Sequence, residues 1–308
     1  MAAMVSQQKW ALAAGCALML AWGVNFAITK VVLAELGVWP FLFIRFLAMP
    51  LFGFALLLAI TRGHFPRTWP RREDLPRFAA AGLIGHTAHV SLVMWGIDLS
   101  TAFSSSLVLT SSPLWTLLIL SVLGAEKLRR RQLVGTLVAF AGIVVFLSDK
   151  FVRGFALAGA GDLVLLVAAS LFSLYTVIIK PLVARYGPLN VMCYTLLFGA
   201  PPLVLATLPA FLHAPLAAVP AGVWFGVFWA VAVSSFLGWI VWAWVNSVRG
   251  LARSAPLQYL MPPIAGLVAW LTLGETFSGL KLAGAAAALG GIAWAQLGAR
   301  NPAPPDAA

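Results

Sequence analysis

Ten apolar stretches of roughly bilayer-spanning length run from Trp10 to Gly298, and the loops between them are too short to form domains. A helix needs about 20 predominantly apolar residues to cross the hydrocarbon core. The stretches fall near residues 10–28, 40–60, 78–97, 102–123, 132–148, 160–179, 188–211, 222–246, 253–273 and 279–298. In hydrocarbon every backbone N–H and C=O must be satisfied within the protein, which leaves helices or a closed barrel. The short alternating segments that build a barrel are absent. With 62% hydrophobic and 9% charged residues, the chain is far from a soluble globule, in which about a quarter of residues are charged. The expected fold is an all-α membrane protein with ten transmembrane helices.

The basic residues set an orientation. With the N-terminus in the cytoplasm, one side of the membrane receives Lys9, Arg62, Arg67, Arg71, Arg72, Arg77, Lys127, Arg129, Arg130, Arg131, Lys180, Arg185, Arg249, Arg253 and Arg300. The other receives Lys30, Lys150, Arg153 and Lys281. Fifteen against four is the asymmetry that the positive-inside rule describes, and one miscounted span would invert every later loop and destroy it. Both termini are expected in the cytoplasm. The net charge of +11 follows from this topology and calls for no nucleic-acid partner. Cys16 and Cys193 fall inside apolar spans, where they act as small hydrophobes. Leu12-Ala13-Ala14-Gly15-Cys16 has the outline of a lipoprotein cleavage box, but the apolar run after Lys9 is too short for a signal peptide. The first span is expected to persist as a helix.

The chain also repeats itself. At a shift of 149 residues Ser105 falls on Ser254, Pro113 on Pro262, Glu126 on Glu275, Gly135 on Gly284 and Gly142 on Gly291; at 150, Trp22 falls on Phe172 and Lys30 on Lys180. Glycine and proline dominate the match, as backbone constraints require. The expected organisation is one five-helix repeat over residues 1–150 and a second over 151–308. Five is odd, so the second repeat enters the membrane from the opposite face and the halves are inverted. Inverted repeats recur in secondary transporters, whose sites lie near the bilayer midplane at the repeat interface.

Ala21-Trp22-Gly23-Val24-Asn25-Phe26 with Lys30, then Ser111-Ser112-Pro113 with Glu126, Gly161-Asp162 at the start of the second half, and Pro262 with Glu275 together resemble the drug/metabolite transporter superfamily in its ten-helix form of two EamA-type repeats. Within it the chain looks most like the YddG-type exporters of aromatic and other neutral amino acids. The resemblance implies an alternating-access exporter in the bacterial inner membrane. It leaves open relatives that handle quaternary ammonium compounds, purine derivatives and other small metabolites.

Buried ionisable groups mark transport pathways because they are costly in hydrocarbon. All nine acids lie at or beyond the span ends, so no mid-membrane carboxylate offers itself to a cationic drug or a proton. A net-neutral substrate fits better. The candidate binding residues are Trp22 and Asn25 of the first span, His86 and His89 of the third, Tyr175 of the sixth, and Ser235, Trp239 and Trp242 of the eighth. His86 and His89 lie one turn apart on one face with Gly82 and Gly85; they line a cavity or are satisfied in helix packing. Ser235, Trp239, Trp242 and Asn246 share a helix face, which can clasp a flat side chain or anchor at the interface. Arg45, five residues into the second span, is expected to snorkel outward, the alternative being a substrate carboxylate. The serines around Ser104–Ser106 and Ser111–Ser112 suit close helix packing, while Pro113 and Pro262-Pro263 are expected to kink equivalent helices.

No third ligand accompanies the histidines, so no metal is expected, and no cofactor. Gly159-Ala160-Gly161-Asp162 matches the GxGD of intramembrane aspartyl proteases, but that chemistry needs a second aspartate within reach; Asp162 is expected to cap the sixth helix. No HExxH or GxSxG motif supports another enzyme. The expected partners are a small-molecule substrate and the lipid bilayer, with a central cavity lined by spans 1, 3, 4, 6, 8 and 9.

Overall fold

A computed structural model describes residues 2–61, 69–124, 130–152 and 156–297. Among the sequence features above, Glu126 and the basic residues Arg62, Arg67, Lys127, Arg129, Arg153 and Arg300 lie outside these segments. Among the described residues there is no strand, and nine helices are long and apolar enough to span a bilayer. They are α1 (Ser6–Leu36), α2 (Val38–Ile60), α3 (Arg72–Leu99), α4 (Ala102–Val122), α5 (Arg130–Asp149), α6 (Gly159–Tyr186), α7 (Pro188–Leu212), α8 (Ala221–Arg249) and α9 (Ala255–Leu273). A shorter apolar helix, α10 (Gly279–Ala295), completes the ten. Large apolar side chains such as Leu51, Val144, Leu205 and Leu271 point outward, as a lipid-facing surface requires.

The packing obeys a two-fold exchange of the halves, in which each helix maps onto the one five places later. Three pairs map onto themselves: α5 packs along α10, α2 along α7 and α4 against α9. The others exchange: α3 lies on α6 as α8 lies on α1, α4 on α6 as α9 on α1, and α3 on α7 as α8 on α2. The crossing of α5 and α10 shows the symmetry at atomic level. A Cβ added to Gly142 would lie 2.3 Å from the Ala288 nitrogen, and one added to Gly291 would lie 2.4 Å from the Ala139 nitrogen. Likewise Gly135 abuts the Ala295 nitrogen at 2.4 Å and Gly284 the Phe146 nitrogen at 2.5 Å. Each contact is the image of the other at the shift of 149 residues read from the sequence. Small residues let the backbones touch, which matters in lipid because dispersion and packing drive helix association there.

Turns and breaks are paired as well. Gly37 and Gly187 both sit at φ +79° and reverse the chain between α1 and α2 and between α6 and α7; a residue with a Cβ is strained there. In α4 the regular helix is interrupted at Thr110–Ser111 and restarts at Ser112 with Pro113 in its first turn, while α9 opens with a 3₁₀ segment, Ala255–Leu260, and becomes α-helical at Met261 before Pro262. The prolines thus sit just past equivalent breaks, where a missing N–H costs nothing. The serines of α4 bond locally, Ser105 to the Thr101 carbonyl and Ser106 to that of Phe103, and Ser104–Ser106 are fully buried.

Three expectations are corrected. Asp162 does not cap α6, because helical winding already starts at Ala156, just ahead of the spanning segment Gly159–Tyr186; its carboxylate accepts from the Ser100 hydroxyl and ties the start of α6 to the end of α3. Lys281, counted above among the charges presented on one side of the membrane, is not at the surface. It is buried in the first turns of α10, its ammonium 5.5–5.6 Å from the Phe103, Phe146 and Phe277 rings. Arg45 does not snorkel. It is 6% exposed and lies with Phe41 and Met49 on one buried face of α2, because residues four apart share a helix face.

Candidate functional site

A cavity with an empty volume of about 710 Å³, counted out to its open mouth, lies between the halves. Its wall draws on α1, α2, α3, α4, α6, α8 and α9, which adds α2, through Arg45, to the helices expected from sequence. The wall holds five of the eight candidate residues: Trp22, Asn25, His89, Ser235 and Trp239. His86, Tyr175 and Trp242 are not on it.

Those three stand behind it. The Trp239 ring is ringed by His86 at 4.9 Å, Tyr175 at 5.0 Å, Phe172 at 5.8 Å and His89 at 6.0 Å between centroids. Tyr175 can lie so close to α3 because Gly85 is there, where a Cβ would come 2.2 Å from the tyrosine ring. Trp242 packs on Trp22 at 5.8 Å. The indole of Trp22 is held in turn by its N–H, which donates to the Ser234 carbonyl at 2.8 Å. The aromatic wall is therefore fixed from behind before any ligand arrives.

Two helices of this wall, α3 and α8, depart from α-helical winding at equivalent places. Gly82–His89 of α3 and Trp229–Leu237 of α8 are π-helical. The wider turn is visible in Ser235, whose hydroxyl donates to the carbonyl five residues back, at Ala230 (2.5 Å). Such π segments concentrate at functional sites because they re-aim side chains. Here the extra residue leaves Ser235 and Trp239 on the wall while Trp242 turns behind Trp22.

The histidines differ in what they leave free. Thr195 donates its hydroxyl hydrogen to the Val191 carbonyl (2.8 Å), so toward His86 Nε2, 2.9 Å away, its oxygen accepts and the histidine donates. His89 Nδ1 lies 2.9 Å from the Ala168 carbonyl, which only accepts. A neutral His89 then carries its proton on Nδ1 and leaves Nε2 as an acceptor on a ring that lines the cavity.

Two other polar groups on the wall have unmet capacity. Among the described residues Arg45 has no hydrogen-bond or ion-pair partner; its Nε is buried and unsatisfied, and its only contact of this kind is the Phe46 ring, 5.8 Å away. Asn25 donates through Nδ2 to Thr29 Oγ1 at 3.0 Å, which leaves Oδ1 buried without a donor. Among the described residues no aspartate or glutamate lines the cavity, and no group of His, Cys, Asp or Glu is arranged to hold a metal. Sequence reasoning placed Arg45 on the wrong side of α2 and passed over Gln258, Met94 and Met261, which also line the cavity. The Phe41-Arg45-Met49 spacing puts the three on one face of α2 but does not say which way that face points.

A third polar cluster closes one end of the molecule. The Asp74 carboxylate, at the start of α3, accepts from the Arg185 guanidinium and the Tyr186 hydroxyl at the end of α6, each at 2.6 Å. The Tyr186 oxygen also accepts from the backbone N–H of Arg71 at 3.0 Å.

Comparison with known proteins agrees with this architecture. The profile of the EamA-like transporter family matches the chain twice, over residues 9–148 and 159–296. A protein of Streptantibioticus cattleyicolor described as a "Probable terminal-alkyne amino-acid exporter" is 32% identical over 242 residues, 77% of this chain and 78% of that protein. A "Probable amino-acid metabolite efflux pump" of Salmonella typhimurium is 24% identical over 279 residues, 88% of this chain and 89% of the other. A solved crystal structure with 22% sequence identity superposes with a TM-score of 0.62, covering 96% of this chain and 100% of its own, and so shares the fold. Two inverted five-helix repeats around a central cavity, matched twice by one family profile, make the chain a member of the EamA-like transporter family of the drug/metabolite transporter superfamily.

Proposed function

We propose that this multi-pass membrane protein exports neutral and aromatic amino acids by alternating access across the bacterial inner membrane, with both termini cytoplasmic and the repeats dividing near residue 150. The observation that carries the reading is the cavity wall, which combines Trp22, Phe172 and Trp239 with Asn25, His89 and Ser235 and contains no carboxylate. A cationic drug finds no counter-charge there, whereas an aromatic side chain finds ring faces and a polar head finds donors and acceptors. The names of the two relatives above, an amino-acid exporter and an amino-acid metabolite pump, support the same class.

The halves supply the motion. Two copies of one motif in opposite orientations have two nearly equivalent packings, and exchanging them turns an opening on one face into an opening on the other. The breaks in α4 and α9 adjoin Ser112 and Met261 of the wall, so the helices are already jointed where they meet the cavity. The test is reconstitution into liposomes, with uptake of labelled phenylalanine, tryptophan and threonine measured against a quaternary ammonium dye, with and without a pH gradient. Amino-acid flux above empty vesicles and indifferent to the gradient is expected. Dye flux alone would overturn the reading.

A further inference from the structure

Arg45 and Asn25 pose one question, namely why a membrane protein leaves a buried cation and a buried acceptor unanswered on the wall of one cavity. An uncompensated charge at depth is costly in hydrocarbon and rarely kept without a role. Arginine does not escape by deprotonating, since its guanidinium stays charged in proteins. Truly structural buried arginines are paired, and this one is not. Asn25 poses the complementary case. Its Nδ2 gives one of its two hydrogens to Thr29, and its Oδ1 is buried without a hydrogen-bond partner. Both residues line the same space.

We infer that Arg45 and Asn25 are the two jaws of a zwitterion clamp, Arg45 taking the carboxylate and Asn25 Oδ1 the ammonium of an α-amino acid. This deepens the proposed function and rests on it for the identity of the cargo. A guanidinium matches a carboxylate with two parallel N–H···O bonds. An ammonium needs acceptors rather than a second full charge, and with Oδ1 of Asn25 the wall offers Nε2 of His89. The absence of an acid on the wall then has a purpose, because a carboxylate near Arg45 would pair with it and compete with the substrate. The specificity that follows is sharp on one side. A site with buried polar groups rejects analogues that leave those groups unpaired, so the carboxylate is the element the cargo cannot lack.

The test is equilibrium binding to the purified full-length protein in detergent, read by tryptophan fluorescence, with phenylalanine, phenylpropionate and phenethylamine as probes. These carry both head groups, the carboxylate only and the amine only. The expected order of affinity is phenylalanine, then phenylpropionate, with phenethylamine weakest. Arg45→Gln should weaken phenylpropionate about tenfold or more, the loss of a charge-assisted pair, and leave phenethylamine unweakened. Arg45→Lys should recover part of the loss. Asn25→Ala should weaken phenylalanine but not phenylpropionate. Should Arg45→Gln fail to fold, the order of the three probes on the wild type and the Asn25→Ala pair decide alone. Equal binding of phenylpropionate to wild type and Arg45→Gln, tighter binding of phenethylamine than phenylpropionate, or no binding of any probe would each overturn the clamp. Binding in the expected order without flux in liposomes would leave the clamp standing and remove the transport reading.

Discussion

Substituting Gly142 or Gly291 by alanine tests the inverted repeat at its tightest point. A Cβ on Gly142 would sit 2.3 Å from the Ala288 nitrogen and 2.8 Å from its Cα, and a Cβ on Gly291 would sit 2.4 Å from the Ala139 nitrogen and 2.8 Å from its Cα. Ordinary contact begins near 3.4 Å, so each methyl is about 1 Å too close to a backbone that has no rotamer with which to yield. The relief is to push α5 and α10 apart. A radial gap of 0.5–1 Å already forfeits about a quarter to a half of each dispersion well, and overpacking typically costs about 1–3 kcal/mol. In lipid no hydrophobic term compensates, because tails are as apolar as leucine. About 2–3 kcal/mol per substitution is expected, which at about 2–4 °C per kcal/mol is a fall of roughly 5–10 °C in the thermal midpoint.

The assay is thermal unfolding in detergent followed by fluorescence-detected size exclusion. Gly290→Ala is the control. It neighbours Gly291 in sequence, yet a Cβ there meets nothing within 4 Å, so alanine should be neutral or add up to about 1 kcal/mol of helix propensity. Two-fold equivalence predicts similar losses for Gly142→Ala and Gly291→Ala. A small effect like that of Gly290→Ala in either, or a large difference between the pair, would refute the crossing and the symmetry together.

Further outcomes follow from the cavity and its surroundings. Trp239→Ala should raise KM for phenylalanine and tryptophan by about tenfold or more, in keeping with the roughly 1–3 kcal/mol of a hydrophobic pocket contact, and raise that for threonine far less; competition uptake in liposomes reads the ratio. His86→Leu should lower the thermal midpoint by breaking the bond to Thr195 while shifting KM within about twofold, whereas His89→Leu should shift KM more than stability, since only His89 is on the wall. Asp74→Asn and Tyr186→Phe should loosen the same junction between α3 and α6. In a thermal-stability cycle the double variant should lose less than the two single losses combined, because both remove one network.

The helix count, the repeat and its glycines were legible because lipid and backbone contact impose them directly. A span has a fixed length, and a glycine where two backbones touch has no substitute; hence Gly135, Gly142, Gly284 and Gly291 stood out as matched positions of the repeat, while their meeting at the α5–α10 crossing is visible only in the structure. The direction of Arg45 was not legible for a reason peculiar to membranes. In a soluble helix the polar face marks the outside, but in α2 the buried Phe41 and Met49 and the exposed Leu47 and Leu51 are equally apolar, so periodicity finds the face and does not name it. The π segments were hidden as well. Whether Ser235 bonds four or five residues back depends on what α1 and α2 press against α8, and no local propensity carries that information. His86 and His89 looked alike in sequence, and only the partners Thr195 and Ala168, both distant along the chain, set them apart.

The symmetry of the frame and the asymmetry of its contents together give the cavity a direction. At the shift of 150 residues Trp22 corresponds to Phe172, Asn25 to Tyr175, Arg45 to Thr195 and His89 to Trp239. The first repeat carries an indole, an amide, a guanidinium and an imidazole at these positions, while the second carries a phenyl, a phenol, a hydroxyl and an indole, so the guanidinium and the imidazole have no like counterpart. Two-fold related backbones can exchange conformations at nearly equal cost, since each state is built from the same contacts seen from opposite faces. Side chains that obeyed the same symmetry would offer a ligand two indistinguishable poses. With the proposed head-group site at Arg45 and Asn25, the aromatic residues Phe172 and Trp239 of the second repeat are left to meet the side chain. On the proposed clamp, substitutions in the first repeat at Arg45 and Asn25 are expected to alter selectivity for the head group, and substitutions in the second at Phe172 and Trp239 selectivity for the side chain; competition uptake with head-group and side-chain analogues checks the division.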